Sequence, residues 1–188
     1  MTFTKFLPVC FMVAIVAALY VLVANWLTAY GWTWIALWVP FISWPLYFLV
    51  GAKPVSRVGK EIIGLIGGVL FGWLTIVAIA PVMTIFGSYA LPVIVFCVAF
   101  IILILELTNW FELATAYFFA YAAYFAYFFG GVGGYYAAGQ PAQAMWPVIV
   151  LLMVGLFLGF FTANARKKLL EKAGLYGADQ KTVFDKEK

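Results

Sequence analysis

The sequence contains no histidine, which excludes imidazole metal sites, histidine-activated nucleophiles and histidine proton relays. Two cysteines are too few for a metal cluster or a disulfide framework. Charge is scarce as well: Asp, Glu, Lys and Arg make up 10% of 188 residues, while 67% are hydrophobic and 20% aromatic. An ordinary soluble domain is about a quarter charged. A soluble globule of 20.9 kDa with a mean hydropathy of +1.08 could not hide its apolar surface, because a fold of this size still exposes roughly a third of its unfolded area. These deficits point to an all-α integral membrane protein whose first partner is the lipid bilayer. They exclude nucleic-acid binding as its main function, and with no nucleophile–base pair, metal cluster or cofactor motif they predict neither an enzyme nor a bound cofactor.

A bilayer core takes about 20 apolar residues per helix. The polar and Gly/Pro breaks divide the chain into six candidate transmembrane helices, at roughly 6–28, 32–50, 61–86, 90–108, 111–130 and 145–164. Ile62 to Leu105 carries no charge but is twice one span, and Phe86-Gly87-Ser88-Tyr89 supplies the turn that divides it. The apolar run Phe6 to Val23 is too long for a signal-peptide core and reads as a membrane anchor. Lys5, then Lys53, Arg57 and Lys60, then Arg166 onward fall on one side of a six-span chain. The opposite connections, near Ala29, Ser88 and Gly131–Gln143, hold no Lys or Arg. By the positive-inside rule both termini are cytoplasmic. The expected organisation is a six-helix transmembrane domain over 1–165 and a cytoplasmic basic tail over 166–188, the last helix continuing through Lys172 and stopping at Gly174. Arg166-Lys167-Lys168 reads either as a stop-transfer anchor or as a contact for anionic lipid or nucleic acid.

An internal repeat is visible. Leu7-Pro8-Val9 opens the first span with Asn25-Trp26 at its far end, and Leu91-Pro92-Val93 opens the fourth with Asn109-Trp110 at the same spacing. Trp44-Pro45-Leu46-Tyr47-Phe48 corresponds to Tyr124-Phe125-Ala126-Tyr127-Phe128, and spans three and six share a GxxxG at Gly68/Gly72 and Gly155/Gly159. Two three-helix halves, about 6–86 and 90–164, enter the membrane in opposite senses because three is odd. Such inverted-topology repeats occur in many transporters.

Gly64, Gly67, Gly68 and Gly72, and Gly155 with Gly159, bare strips of backbone for close helix packing. The strips serve either packing of spans three and six within the chain or contact between copies in a homo-oligomer. Pro40 and Pro45 make span two a candidate broken or re-entrant helix with unpaired backbone groups, or else a kinked packing helix. Pro81 and Pro147 interrupt the third and sixth spans. The candidate substrate or pore-lining residues are Glu106, Asn109, Glu112, Tyr117, Tyr121, Tyr124 and Asn25. Acidic groups at membrane depth are costly and usually functional. Glu106, Asn109 and Glu112 share one stripe if the helix runs through them; otherwise they form an interfacial turn facing water. Tyr117, Tyr121, Tyr124 and Tyr127 share a face, so their hydroxyls either line a solute path or pack against backbone. Gly130-Gly131-Val132-Gly133-Gly134 reads as a flexible outer loop, and Cys10 and Cys97 as small core residues.

The run Trp38-Val-Pro-Phe-Ile-Ser-Trp-Pro-Leu-Tyr-Phe-Leu-Val-Gly-Ala52, the glycine-rich third span and Gly155-Leu-Phe-Leu-Gly-Phe-Phe before a basic tail resemble the YcdZ-like bacterial inner-membrane proteins, domain of unknown function 1097, over roughly residues 8–168. The resemblance implies a multi-pass protein of the bacterial inner membrane and no established activity, so it carries over no functional residues. Three functions fit: a small-solute permease or channel, a structural or accessory membrane subunit, or the substrate-binding subunit of a vitamin importer.

Overall fold

A computed structural model describes residues 3–49 and 55–174, with side chains over 6–49 and 57–174. Among them are six α-helices and no strand: α1 (Phe3–Ala29), α2 (Pro40–Leu49), α3 (Val55–Phe86), α4 (Ala90–Leu105), α5 (Ala114–Phe129) and α6 (Pro141–Lys172). Lys53 and the tail beyond Gly174, both used above to orient the chain, lie outside the described residues.

Helix length sorts these elements. At roughly 1.5 Å per residue, α1, α3 and α6 extend about 40–48 Å, α4 and α5 about 24 Å, and α2 only about 15 Å. Three stretches are long and apolar enough to cross a membrane: Phe6–Ala29, Arg57–Leu105 and Pro141–Lys172. The second contains α3 and α4, which fold back on one another through a 3-10 turn at Gly87–Tyr89. Gly87 takes φ +54, a left-handed value that favours glycine.

Helix ends differ from the sequence expectation where local bonding decides them. Span two is helical only over Pro40–Leu49, and residues 32–39 form turns. Pro40 stands at the first helical position, where its missing N–H costs nothing, and Pro45 denies the Phe41 carbonyl its partner four residues on. α4 stops at Leu105 because its last turn tightens into three-residue bonds, from the Leu107 and Thr108 amides to Ile104 and Leu105, and Thr108 Oγ1 also donates to the Leu105 carbonyl at 2.7 Å. α6 starts a turn before residue 145, whereas its other end continues through Lys172 as the sequence leads one to expect. Pro141 sits in its first turn, and Gly174, at φ +67, closes it with a bond to the Glu171 carbonyl.

Four helices make the core. α3 packs most extensively on α5, and α2 on α6; α1 lies chiefly against α6 and α4 against α3. Leu46, Leu65, Val69, Tyr124, Tyr127, Val148 and Leu152 fill the centre. The outer faces of the two peripheral helices are apolar and uncovered: Phe11, Ile15, Leu19 and Leu22 on α1, and Phe96, Phe100 and Leu103 on α4, are all exposed. Such contiguous apolar surface belongs in lipid. Cys10 and Cys97 are exposed on these helices, a correction to their reading as core residues. Each helix buries one narrow stripe, Ala90, Ile94, Val98 and Ile102 in α4, and the cysteines fall outside it.

The two ends of the bundle differ in charge. Lys60, at the start of α3, bonds into the α4–α5 connection, and the Arg166 guanidinium of α6 lies 5.8 Å from the centre of the Phe6 ring in α1. At the opposite end residues 29–39, 87–89 and 130–143 carry no formal charge.

Candidate functional site

The glycines come first because they set how closely helices approach. A Cβ on Gly64 would meet Ala116, and one on Gly67 would meet the Tyr117 ring. One on Gly68 would meet the Tyr117 carbonyl and Ala120, and one on Gly72 the Tyr124 ring. In α6, a Cβ on Gly155 would meet the Pro40 carbonyl and Ser43 Oγ, and one on Gly159 the Tyr47 side chain and the Trp44 carbonyl. The strips of α3 and α6 therefore receive α5 and α2 respectively, within one chain.

Polar side chains then lock the two seams. On the α5 side, Tyr124 donates to the Pro141 carbonyl at 2.6 Å, Tyr127 donates to the Trp34 carbonyl at 2.7 Å, and the Tyr121 and Thr75 hydroxyls are 3.0 Å apart. Tyr117 is buried with them, against the ring of Phe71. On the α2 side, Ser43 donates to the Leu152 carbonyl at 2.7 Å and Trp44 Nε1 donates to Thr162 Oγ1 at 2.9 Å. The glycine run after α5 forms a 3-10 turn at Val132–Gly134, with Gly131, Gly133 and Gly134 all left-handed.

Glu106, Asn109 and Glu112 do not share a helix face, since the helix has ended at Leu105. Glu106 is the exposed C-cap of α4, Asn109 is exposed in the following turn, and Glu112 lies just before α5. Lys60 Nζ gathers the last two, donating at 2.8 Å both to Asn109 Oδ1 and to Glu112 Oε1. The Lys60 ammonium holds the Glu112 carboxyl below the usual carboxylate range, first by hydrogen bonding and then by its charge. Asn25 is exposed in the last turns of α1, away from this cluster.

One acidic residue absent from the candidates has the most unusual surroundings. Glu61, in the second turn of α3, is 1% exposed, and its Oε1 has no hydrogen-bond partner. Leu65, one turn on, is fully buried. Arg57, one turn back, and Tyr47 of α2 lie within electrostatic reach of the carboxyl. The other buried side-chain atom without a partner among the described residues is Tyr20 Oη of α1, whose ring stands edge-on to Phe41 of α2 at 5.6 Å. Tyr20 thus borders the short helix directly, and Glu61 has Tyr47 of that helix within electrostatic reach. A signal for Glu61 was available in the sequence: at about 100° per residue it shares a face with Gly64, Gly68 and Gly72, so it points into the bundle.

The family model described as Protein of unknown function (DUF1097) matches residues 12–164. The chain belongs to this family. No curated protein and no solved structure matches it. The DUF1097 match takes in α2, Glu61 and both glycine strips, and it ends before the charged last turns of α6. It also includes a shallow recess of about 290 Å³ at the uncharged end, lined by Trp34, Tyr135, Gln143, Trp146, Pro147 and Val150. Pro147 lacks the N–H that would otherwise bond the Gln143 carbonyl there.

Proposed function

We propose that this DUF1097 protein is a multi-pass permease of the bacterial inner membrane, which passes a small solute between two inverted three-helix halves. Both termini are cytoplasmic in this reading, α2, α4 and α5 complete three further spans with their flanking turns, and the charged end is the inner one. The packing pattern supports the two halves. The third helix of each half receives the second helix of the other, α3 with α5 and α6 with α2, and the first helices α1 and α4 follow the same exchange.

The observation that carries the reading is Glu61. A carboxyl 1% exposed inside an apolar bundle, with one oxygen that has no hydrogen-bond partner, is among the most expensive groups a membrane protein can hold, and such groups mark substrate or ion pathways. Tyr47 of the half-length helix α2 lies within its electrostatic reach, and discontinuous helices form the binding sites of many inverted-repeat transporters. The solute path runs from the aromatic recess at the uncharged end, beside α2, to Glu61 near the charged end.

Cysteine accessibility tests this. With Cys10 and Cys97 replaced by alanine, Glu61→Cys is expected to react with a membrane-impermeant thiol reagent in both right-side-out and inside-out vesicles, because a permease exposes its site to each side in turn. Glu106→Cys, at the charged rim, serves as the one-sided control. A position 61 that stays closed from both sides, or opens only from the charged side, overturns the permease in favour of a structural subunit.

A further inference from the structure

We infer that Glu61 is the site of an exchangeable proton, and that this proton is the coupling ion of the bundle. The inference rests on the permease reading for what the proton accompanies, but the site itself stands on separate geometry. A charged group closed from water inside a bundle needs a neutralising partner. Arg57, one turn back, lies within electrostatic reach on the exposed side, yet Glu61 Oε1 still has no hydrogen-bond partner, and what can attach at that oxygen is a metal cation or a proton.

A metal ion demands a shell of oxygen ligands, about six to eight for calcium and six for magnesium. Around Glu61 the surroundings are of another kind. Leu65 is buried on the same face, Val58 and Ile62 pack beside it into the core, and no group of three His, Cys, Asp or Glu converges anywhere among the described residues. A proton needs no such shell. It forms one O–H bond at a carboxyl oxygen and leaves the group neutral. On release that bond breaks, the electron pair stays on the carboxylate and the proton passes to water at the charged end.

Among the described residues, the charged and titratable groups shown within electrostatic reach are Arg57 on α3 itself and Tyr47 on α2. Arg57 lies one turn toward the charged end, so a carboxylate formed at position 61 faces a cation on the side from which water arrives. Tyr47 sits on the helix whose backbone is seated in the groove over Gly155 and Gly159, so displacement of α2 would move the Tyr47 hydroxyl relative to Glu61. Coupling follows from that arrangement: the proton is held while α2 is seated and exchanges when α2 shifts.

Labelling with dicyclohexylcarbodiimide reads the site directly, because this apolar reagent attacks protonated carboxyls from within the membrane. In full-length protein in liposomes, mass spectrometry is expected to find the adduct on Glu61. Its rate should fall at least about tenfold between about pH 5 and about pH 9, as the carboxyl loses its proton. Sodium chloride should leave the rate unchanged against choline chloride at the same pH. Glu61→Gln should abolish the adduct, and Glu106→Gln should not. The proposal is overturned by a rate independent of pH, by suppression with sodium, which would assign a metal cation, or by adducts on Glu106 or Glu112 that persist in Glu61→Gln. The two readings fail separately. A pH-dependent adduct on a position 61 that thiol reagents reach from one side only leaves the proton site and removes the permease; two-sided access without the adduct does the reverse.

Discussion

Where α3 meets α5, Gly64, Gly68 and Gly72 admit a 16-residue helix whose tyrosines reach across to Thr75, Trp34 and Pro141. Where α6 meets α2, Gly155 and Gly159 admit a helix of 10 residues, fixed by Ser43 and Trp44. The glycine device is the same and the guest helix differs by six residues. The longer guest brings tyrosines that satisfy Thr75 and the Trp34 and Pro141 carbonyls. The shorter one leaves Tyr20 Oη of α1 without a partner beside it, while Glu61 Oε1, also without one, stands on α3 in phase with Gly64, Gly68 and Gly72, with Tyr47 of α2 within electrostatic reach. A membrane bundle built twice on one plan is thus closed unequally by its two guest helices.

The largest test of that contrast is steric. Gly68→Leu drives a side chain into the Tyr117 carbonyl and Ala120, neither of which is the free end of a flexible chain. It should cost at least about 3 kcal/mol, because overpacking against backbone has no cheap relaxation. Thermal unfolding in detergent would show it as a large fall in Tm or as loss of folded protein. Gly155→Ala meets the Pro40 carbonyl and Ser43 Oγ instead. The short helix can shift as a unit, so the expected cost is smaller, about 1–2 kcal/mol. Carbodiimide labelling of Glu61 should change in Gly155→Ala and remain as in the wild type in Gly68→Ala. Equal effects on labelling from both sides would erase the distinction between the seams.

Hydrogen bonds give the next smaller effect. Tyr127→Phe leaves the Trp34 carbonyl short of a donor, and Trp44→Phe frees Thr162 Oγ1, which still donates to the Leu158 carbonyl at 2.7 Å. Each should lower stability by about 1 kcal/mol. Of these two variants, two-sided access at position 61 should respond to Trp44→Phe alone, since Trp44 lies on α2 and Tyr127 does not.

These features were unevenly legible in the sequence. Each helix overlaps one of the apolar stretches, because apolar runs broken by Gly, Pro and polar residues are a long-range signal that packing does not override. The shortness of α2 was visible in Pro40 and Pro45, whose effect on backbone bonding is local. The tyrosine face of α5 followed from its period, but whether those hydroxyls lined a path or bonded backbone depended on partners 17 to 93 residues away. The end of α4 was misjudged because Thr108 bonds back to the Leu105 carbonyl, a choice that composition does not reveal. Glu61 was passed over because it stands beside Lys60 and four residues from Arg57 and so resembles a charged helix end; only its phase with the glycines separates it from Lys60. The depth of Glu106 rested on helix continuing past Leu105, and without that helix it is a rim residue.

The smallest effect concerns the Lys60–Glu112 pair, which exists on the α5 side alone, since the uncharged end offers the α2 side no counterpart. Lys60 is 14% exposed and Glu112 37% exposed, so water and salt weaken the pair. Because Lys60 depresses the carboxyl in the folded protein, its contribution is present above the ordinary carboxylate pKa and is lost as the pH falls through the lower, folded value. Glu112→Gln should therefore show a slightly lower Tm than wild type at neutral pH, the gap closing in acid and shrinking with added salt. The carbodiimide profile of Glu61 should not follow that gap. If it did, the rim pair and the buried carboxyl would belong to one coupled system, and the α5 side would share in the chemistry that its satisfied hydrogen bonds argue it leaves to α2.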